Sequence, residues 1–279
     1  MKDAKLVAKT NADHTSEIAI TPSVTVGGKN LFIVGGPCSI ESMAQMETIA
    51  QAHLPIQGLR GGIYKPRTSP YAFQGLGDVG LDILSAMRKR YGLPVVTEVM
   101  AIHQIETLLP HADVLQIGSR NMQNFDLLKA LGDIDKPVLL KRGLAATVKE
   151  FVMAAEYIAS HGNPNIILCE RGIRSFDSHT RNVLDLGAVV ALKQSTHLPV
   201  LVDPSHATGK RELVAPLARA AIAAGADGLM IECHPEPEMS VSDARQTISL
   251  DAMAALITSL VPIAQAVERS IHGPQMAIS

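Results

Sequence analysis

The chain has 279 residues, 47% of them hydrophobic and only 3% aromatic, and its 25 basic and 27 acidic side chains leave a formal net charge of −2. Balanced charge excludes a protein-wide basic field, so no nucleic-acid partner is expected. Three scattered cysteines, at 38, 169 and 233, exclude a disulfide framework and point to reduced thiols in the cytoplasm.

Residues 1–17 read as loosely ordered and lack the apolar stretch of a signal peptide. "SEIAITPSVTVGGKN" alternates and carries a Gly-Gly turn, which predicts a short hairpin closing the bottom of the main domain. From there apolar runs and helical patterns take turns. "LFIVGG" (31–36) precedes "SMAQMETIAQAHL", and "GLRGGIY" (58–64) precedes "VGLDILSAMRKRYG". "PVVTEV" (94–99) has no marked helix after it. "VLQIGS" (114–119) precedes "NFDLLKALG", and "PVLLKRG" (137–143) precedes "TVKEFVMAAEYIASHG". "NIILCERG" (165–172) precedes "TRNVLDLGAVVALKQST", and "PVLVDPSH" (199–206) precedes "RELVAPLARAAIAAG". "GLMIECH" (228–234) is the last run. The apolar "AMAALITSLVPIAQAV" near the C-terminus is interrupted by Pro262 and Gln265 and reads as a packed helix, with no membrane partner.

Continuous apolar runs are strands buried on both faces. Eight of them alternating with helices predict an α/β fold, a single (β/α)₈ TIM barrel, which typically takes roughly 250 residues. The expected division is an N-terminal extension and hairpin over 1–30, the barrel over 31–270 and a C-terminal tail over 271–279.

In such barrels the chemistry gathers where the strands end. The run ends supply eight cations: Arg60, Lys65, Arg67, Arg120, Lys141, Arg142, Arg171 and Arg174. Pairing with Glu98, Glu170 and Asp203 would occupy about three, since buried Lys and Arg are rare unless paired. The surplus fits a ligand carrying several negative charges, such as phosphates and a carboxylate. Cys38, His206, Glu232 and Asp243 follow strands one, seven and eight, which closure makes neighbours. A thiolate, an imidazole and two carboxylates suit a borderline divalent transition ion better than magnesium or calcium. The alternative is a buried free thiol, a hydrogen-bonded histidine and solvated acids. "GLGDVG" (75–80) follows no strand and "ATGKRE" (207–212) lacks the P-loop spacing, so neither reads as a nucleotide grip. Cys169 and Cys233 read as core residues, as do Met43, Met46, Met87, Met153 and Met253 on helical stripes.

The blocks "GGPCSIES", "GGIYKPRTSPYAFQGLG", "TEVM", "IGSRNMQNFDLLKALG", "LLKRG", "ILCERGIR", "DPSHATG" and "IECHPEPEMSVSDARQ" cover roughly residues 28 to 255 in order. Together they resemble the type I 3-deoxy-D-arabino-heptulosonate 7-phosphate (DAHP) synthases. The branch most similar is the short beta-type one, related to 3-deoxy-D-manno-octulosonate 8-phosphate synthase. The resemblance implies condensation of phosphoenolpyruvate with erythrose 4-phosphate, the first step of the shikimate pathway to aromatic amino acids. It implies one divalent transition metal ion (Mn²⁺, Fe²⁺, Co²⁺ or Zn²⁺) on Cys38, His206, Glu232 and Asp243. It places phosphoenolpyruvate on Arg60, Lys65, Ser119, Arg120, Lys141 and Arg171, with Lys65 and Glu98 catalytic. It places erythrose 4-phosphate on Pro66, Arg67, Thr68 and Ser69, where the octulosonate enzymes carry a Lys-Ala-Asn-Arg-Ser type of segment. It also implies a homodimer or homotetramer. Residues 1–30 are too few for the ferredoxin-like regulatory domain or fused chorismate mutase of some relatives, so regulation would need a separate partner, such as a chorismate mutase. Arg245, two residues from Asp243, is a departure. The rival readings are a synthase of an eight- or nine-carbon sugar acid and a catalytically silent scaffold.

Overall fold

A computed structural model describes residues 3–272; Met1, Lys2 and residues 273–279, most of the expected C-terminal tail, lie outside the described residues. An antiparallel pair, β1 (Ile18–Thr21) and β2 (Val24–Val26), precedes eight parallel strands that close into a barrel. These are β3 (Phe32–Gly36), β4 (Gly58–Arg60), β5 (Val95–Val99), β6 (Val114–Ile117), β7 (Val138–Lys141), β8 (Ile166–Glu170), β9 (Val200–Val202) and β10 (Gly228–Glu232). β10 pairs with β3 over five residues, from Gly228 opposite Phe32 to Glu232 opposite Gly36, and so completes the ring.

Every strand has two buried faces. One set of alternate residues (Ile33, Leu59, Val95, Leu115, Leu140, Leu168, Val202, Ile231) packs under the helices. The other (Phe32, Val34, Val96, Val114, Leu139, Ile167, Cys169, Leu201, Met230) fills the barrel and joins Ile18, Val24 and Val26 of the hairpin. The hairpin therefore plugs the barrel at the N-terminal ends of its strands. At about 25 cal/mol per Å² of apolar surface removed from water, these two cores supply most of the stability.

Nine helices among the described residues form the outer layer and loops. They are α1 (Met43–Gln51), α2 (Leu81–Tyr91), α3 (Ile105–Leu108), α4 (Phe125–Gly132), α5 (Val148–Ser160), α6 (Leu186–Ser195), α7 (Pro204–Thr208), α8 (Arg211–Ala223) and α9 (Leu250–Ala266). Their starts follow from capping residues. The Ser42 hydroxyl accepts from the Gln45 N–H at 3.1 Å, and Thr147 with Glu150 forms a reciprocal capping box on α5. The predicted helix from 180 begins only at Leu186, because the Asp185 carboxylate caps the Ala188 N–H and Val183 bridges back to Ile173. The predicted strand 58–64 has its regular part at Gly58–Arg60; beyond it Gly61 still donates to the Val96 carbonyl at 3.1 Å and Gly62 makes only a single bridge, to Ser39. The short helices α3 and α7 lack enough apolar periodicity to be read from sequence. None of the described helices is long and apolar enough to cross a membrane.

The expectation of a loose N-terminus fails for residues 3–17. Ala4 and Val7 are buried, and the Glu156 carboxylate on α5 accepts from the N–H groups of Lys5 (2.8 Å), Leu6 (2.9 Å) and Val7 (3.0 Å). His14 stacks on His197 with ring centroids 4.2 Å apart. A polar-looking segment is thus ordered by distant partners, Glu156 on α5 and residues 195–197 after α6, that its own sequence does not reveal.

Candidate active site

The interior face of each strand changes character along its length. Two residues beyond the apolar filling, the same face presents a polar or charged group: Val96 is followed by Glu98, Val114 by Gln116, Leu139 by Lys141, Leu201 by Asp203 and Met230 by Glu232. Arg60 and Arg171 continue the same rows. Of these, Glu98, Gln116, Lys141, Arg60 and Arg171 floor a cavity of about 510 Å³ at the C-terminal ends of the strands. Its wall holds Arg67, Thr68 and Ser69 on one side and Arg120, Arg174 and Arg181 on others.

Seven of the eight expected cations line this cavity; Arg142 does not. The pleat explains the correction. Lys141 faces inward, so Arg142 faces out, where its guanidinium meets Glu170 (2.9 Å), Asp185 (3.0 Å) and the Ala146 carbonyl (2.9 Å). Of the three expected acid partners, Asp203 pairs with Lys141 and Glu170 with Arg142. Glu98 pairs with no cation among the described residues. Its Oε2 accepts from Gln116 Nε2 at 3.2 Å, and its Oε1 is buried without a partner. Burial pushes the Glu98 carboxyl upward, against the pull of Lys141, Lys65 and Arg60.

Cys38, His206, Glu232 and Asp243 each bring a donor atom within 4.8 Å of the other three. Cys38 Sγ is 3.3 Å and Glu232 Oε2 is 3.6 Å from His206 Nε2. Asp203 caps α7 by accepting the His206 N–H at 2.9 Å, and its other oxygen accepts from His206 Nδ1 at 2.8 Å. That bond fixes the tautomer and turns Nε2 into the cluster. Burial holds the His206 imidazole neutral, pushed down to about 3 despite Asp203. Burial pushes the Glu232 carboxyl up to about 7, against Arg60, and raises the Cys38 thiol. Burial alone would raise Asp243 as well, but its neighbours, foremost the Lys65 ammonium at 2.8 Å and also Arg181, together outweigh it and hold the carboxyl well below its usual range. Arg245 is exposed and outside the cavity, so the departure at that position does not reach the cluster.

The segment Lys65–Ser69 is fixed at both ends. The Lys65 N–H donates to the Gln74 carbonyl at 2.9 Å, the Gln74 amide reaches back to the Ser69 carbonyl at 3.4 Å and the Ala72 carbonyl at 2.9 Å, and the Tyr64 hydroxyl meets Asp78. Gly75 (φ +96°) and Gly77 (φ +62°) make the return turn, which is the structural use of "GLGDVG". Gly209 in "ATGKRE" caps α7. Four polar residues of the cavity or the cluster carry no signal in the sequence: Gln116, Arg181, Asn182 and Gln246. The sequence marks Asp203 only as a partner for a cation; its spacing of three from His206 is the available signal for a histidine orienter.

A model of the DAHP synthetase I family matches residues 9–268. The chain is also 46% identical over 268 residues to the phospho-2-dehydro-3-deoxyheptonate aldolase of Thermotoga maritima, covering 95% of this chain and 79% of that protein. The chain belongs to the DAHP synthetase I family. The likeness extends to structure. A crystal structure of phospho-2-dehydro-3-deoxyheptonate aldolase (DAHP synthase) from Thermotoga maritima superposes with a TM-score of 0.91 at 45% identity, over 97% of this chain and 79% of that one. A truncated form of the 3-deoxy-D-arabino-heptulosonate 7-phosphate synthase from the same organism gives 0.87 at 43% identity, over 95% and 98%. The 2-dehydro-3-deoxyphosphooctonate aldolase of Geobacter sp. (strain M21) is 35% identical over 269 residues, 89% of this chain and 97% of that protein.

The donors in this DAHP synthetase I family chain fit a divalent transition ion. One soft, one borderline and two hard donors converge, the imidazole is held neutral, and Glu232 Oε1 is buried with no hydrogen-bond partner among the described residues. A buried carboxylate oxygen without a partner costs free energy unless a cation meets it.

Proposed function

We propose that this protein condenses phosphoenolpyruvate with erythrose 4-phosphate and water to give DAHP and phosphate, the entry step of aromatic amino acid synthesis. The observation that carries this reading is the Lys65–Ser69 segment on the wall of the same cavity that the deep cations and three of the four cluster donors, Cys38, His206 and Asp243, line.

Arg60, Lys141 and Arg171 are nearly fully buried, and with Lys65, Arg120 and the Ser119 segment they would bind the carboxylate and phosphate of phosphoenolpyruvate. Buried cations in a low-dielectric floor attract such a ligand strongly, and the planar guanidinium forks orient it. Pro66, Arg67, Thr68 and Ser69 would hold the phosphate end of erythrose 4-phosphate at the mouth. Pro66 and Pro70 stiffen that segment beforehand and reduce the ordering entropy of binding. The cavity thereby brings two mutually repelling anions together, which is largely positioning work.

A new bond forms between C3 of phosphoenolpyruvate and the aldehyde carbon, whose oxygen takes up a proton. Water adds at C2, and the hemiketal phosphate then leaves as inorganic phosphate. Lys65 and Glu98 are the groups placed to move these protons. Glu98 suits the task because burial raises its affinity for a proton. Cys38, His206, Glu232 and Asp243 would hold the divalent ion (Mn²⁺, Fe²⁺, Co²⁺ or Zn²⁺), with Asp203 orienting His206. A bound ion supplies Lewis acidity toward a carbonyl oxygen. We read His206 as a ligand only, since its neutral ring is tied to Asp203.

The protein is further proposed to act in the cytoplasm as a homodimer or homotetramer, with any chorismate mutase or other regulatory partner a separate protein. The exposed Phe125–Tyr157 pair, with centroids 4.7 Å apart, supports the oligomer, because exposed aromatic patches mark association surfaces.

The test is loss of enolpyruvate absorbance with chelated and metal-restored protein, using erythrose 4-phosphate and, separately, arabinose 5-phosphate. Metal-dependent consumption with the four-carbon sugar supports the reading. Turnover only with the five-carbon sugar would move the assignment to the octulosonate branch, and turnover undiminished by chelation would remove the metal from it.

A further inference from the structure

We propose that Arg181 and Gln246 form a positioning pair that sets the two carboxylates of the metal cluster, Asp243 and Glu232, and so governs how tightly the ion is held. The inference rests on the metal reading of that cluster.

Arg181 lies in the loop between β8 and α6, yet it is fastened to α7, the helix that carries His206. Its N–H donates to the Thr208 carbonyl at 2.9 Å. Its aliphatic stem lies over Gly209, where an added Cβ would come 2.9 Å from Arg181 Cβ. Gly209 has φ +66°, so glycine serves there both as a left-handed cap and as the space for this stem. The guanidinium is thereby aimed at the cluster: Nη1 donates to Asp243 Oδ1 at 3.2 Å and to Gln246 Oε1 at 3.4 Å.

Gln246 passes the constraint on. It is 3% exposed, and its Nε2 donates to Glu232 Oε2 at 2.8 Å. An amide is the side chain that accepts on one atom and donates on the other, which this relay requires. The relay therefore touches two of the four donors directly, while Lys65 holds the second oxygen of Asp243.

Both carboxylates need such support. Asp243 has φ +56°, a left-handed backbone that residues other than glycine adopt only where the surroundings hold them there. Glu232 has one oxygen with no partner and the other held by Gln246, among the described residues. Groups that orient metal ligands in this way change metal affinity by roughly ten- to hundred-fold when removed. A bare electrostatic role would act in the opposite sense: a cation beside the site repels a divalent ion, and its removal would tighten binding.

The experiment is a titration of the chelated protein with Co²⁺ alone, following thiolate-to-cobalt charge-transfer absorption. Wild type, Cys38→Ser, Gln246→Leu, Arg181→Lys and Arg181→Met are compared. The expected result is a band in wild type that Cys38→Ser abolishes, with Co²⁺ dissociation constants raised roughly ten-fold or more in the other three. The double variant Arg181→Met with Gln246→Leu should be little worse than either single one, since the two residues act as one relay. No band in wild type would overturn the metal reading and the inference with it. A normal band in wild type, with Arg181→Lys and Arg181→Met within two-fold of it or tighter, would overturn the inference alone. Arg181 is half-exposed, so these two variants decide the matter even if Gln246→Leu does not fold.

Discussion

Gly118 leaves the space that the Glu98 carboxyl occupies. A Cβ on residue 118 would overlap Glu98 Oε1 and stand 3.0 Å from its Cδ, while the backbone there, at φ −67° and ψ 157°, suits any residue. Gly118→Ala is therefore expected to push Glu98 out of place without straining the fold. A displacement of about 1 Å in a reacting group can cost on the order of 10²-fold. Steady-state kinetics should show kcat falling by about that factor, with a melting temperature close to that of wild type. A variant with full kcat would mean that Glu98 has no part in the reaction.

Glu98→Gln separates chemistry from stability. The folded carboxyl is raised by burial, so the folded state binds a proton more tightly than the unfolded one. The charged form is thus a burden that is absent below the ordinary carboxylate range and grows as pH rises through the raised value. Glu98→Gln should melt higher than wild type at neutral pH, and the gain should vanish in acid. Turnover should fall at every pH. Thermal melts from pH 4 to 8 check the sign, and a gain that grows toward acid would contradict it.

Arg142 and Lys141 are neighbours in sequence with different tasks, and they should fail differently. Arg142→Met leaves Glu170 buried without its cation, a loss of about 3–5 kcal/mol. At about 2–4 °C per kcal/mol for a chain of this size, the melting temperature should fall by roughly 6–20 °C. KM for phosphoenolpyruvate in the folded fraction should stay near wild type. Lys141→Met should raise that KM strongly. Equal KM effects from the two would show that the pleat assignment is wrong.

Glu156→Ala tests the N-terminal strap. Three N–H groups lose their acceptor, at about 2 kcal/mol for a hydrogen bond to a charged group. Hydrogen exchange at Lys5, Leu6 and Val7 should accelerate by an order of magnitude or more, while amides of β3 to β10 stay protected. Unchanged exchange at these three positions would mean that the buried Ala4 and Val7 side chains hold the strap by themselves.

Much of the fold is legible from residue order because burial leaves a one-dimensional trace. The continuous apolar runs around Phe32, Val96, Leu139 and Met230 mark two-faced strands, and their 20-to-36-residue spacing leaves room for a helix between most of them. The site residues at run ends are legible for the same reason. Cys38, Lys65, Arg60 and Lys141 interrupt sequence that is otherwise buried, where a charge or a thiol needs a cause. Arg181 and Gln246 leave no such trace, being polar residues inside polar loops. The order of residues 4–7 is equally hidden, because it depends on Glu156, Thr196 and His197, about 150 or more positions away.

By itself, then, the sequence determined a closed eight-stranded barrel, the end at which its chemistry gathers and the residue types that gather there. Local periodicity dictates these, since strands and helices bury side chains at fixed intervals of two and 3.6 residues. Only the tertiary structure decided which of two adjacent cations faces the cavity, which acid each one meets, and how Asp243 is held. Those outcomes depend on the phase of the pleat against the closed ring and on contacts between strands far apart in the chain.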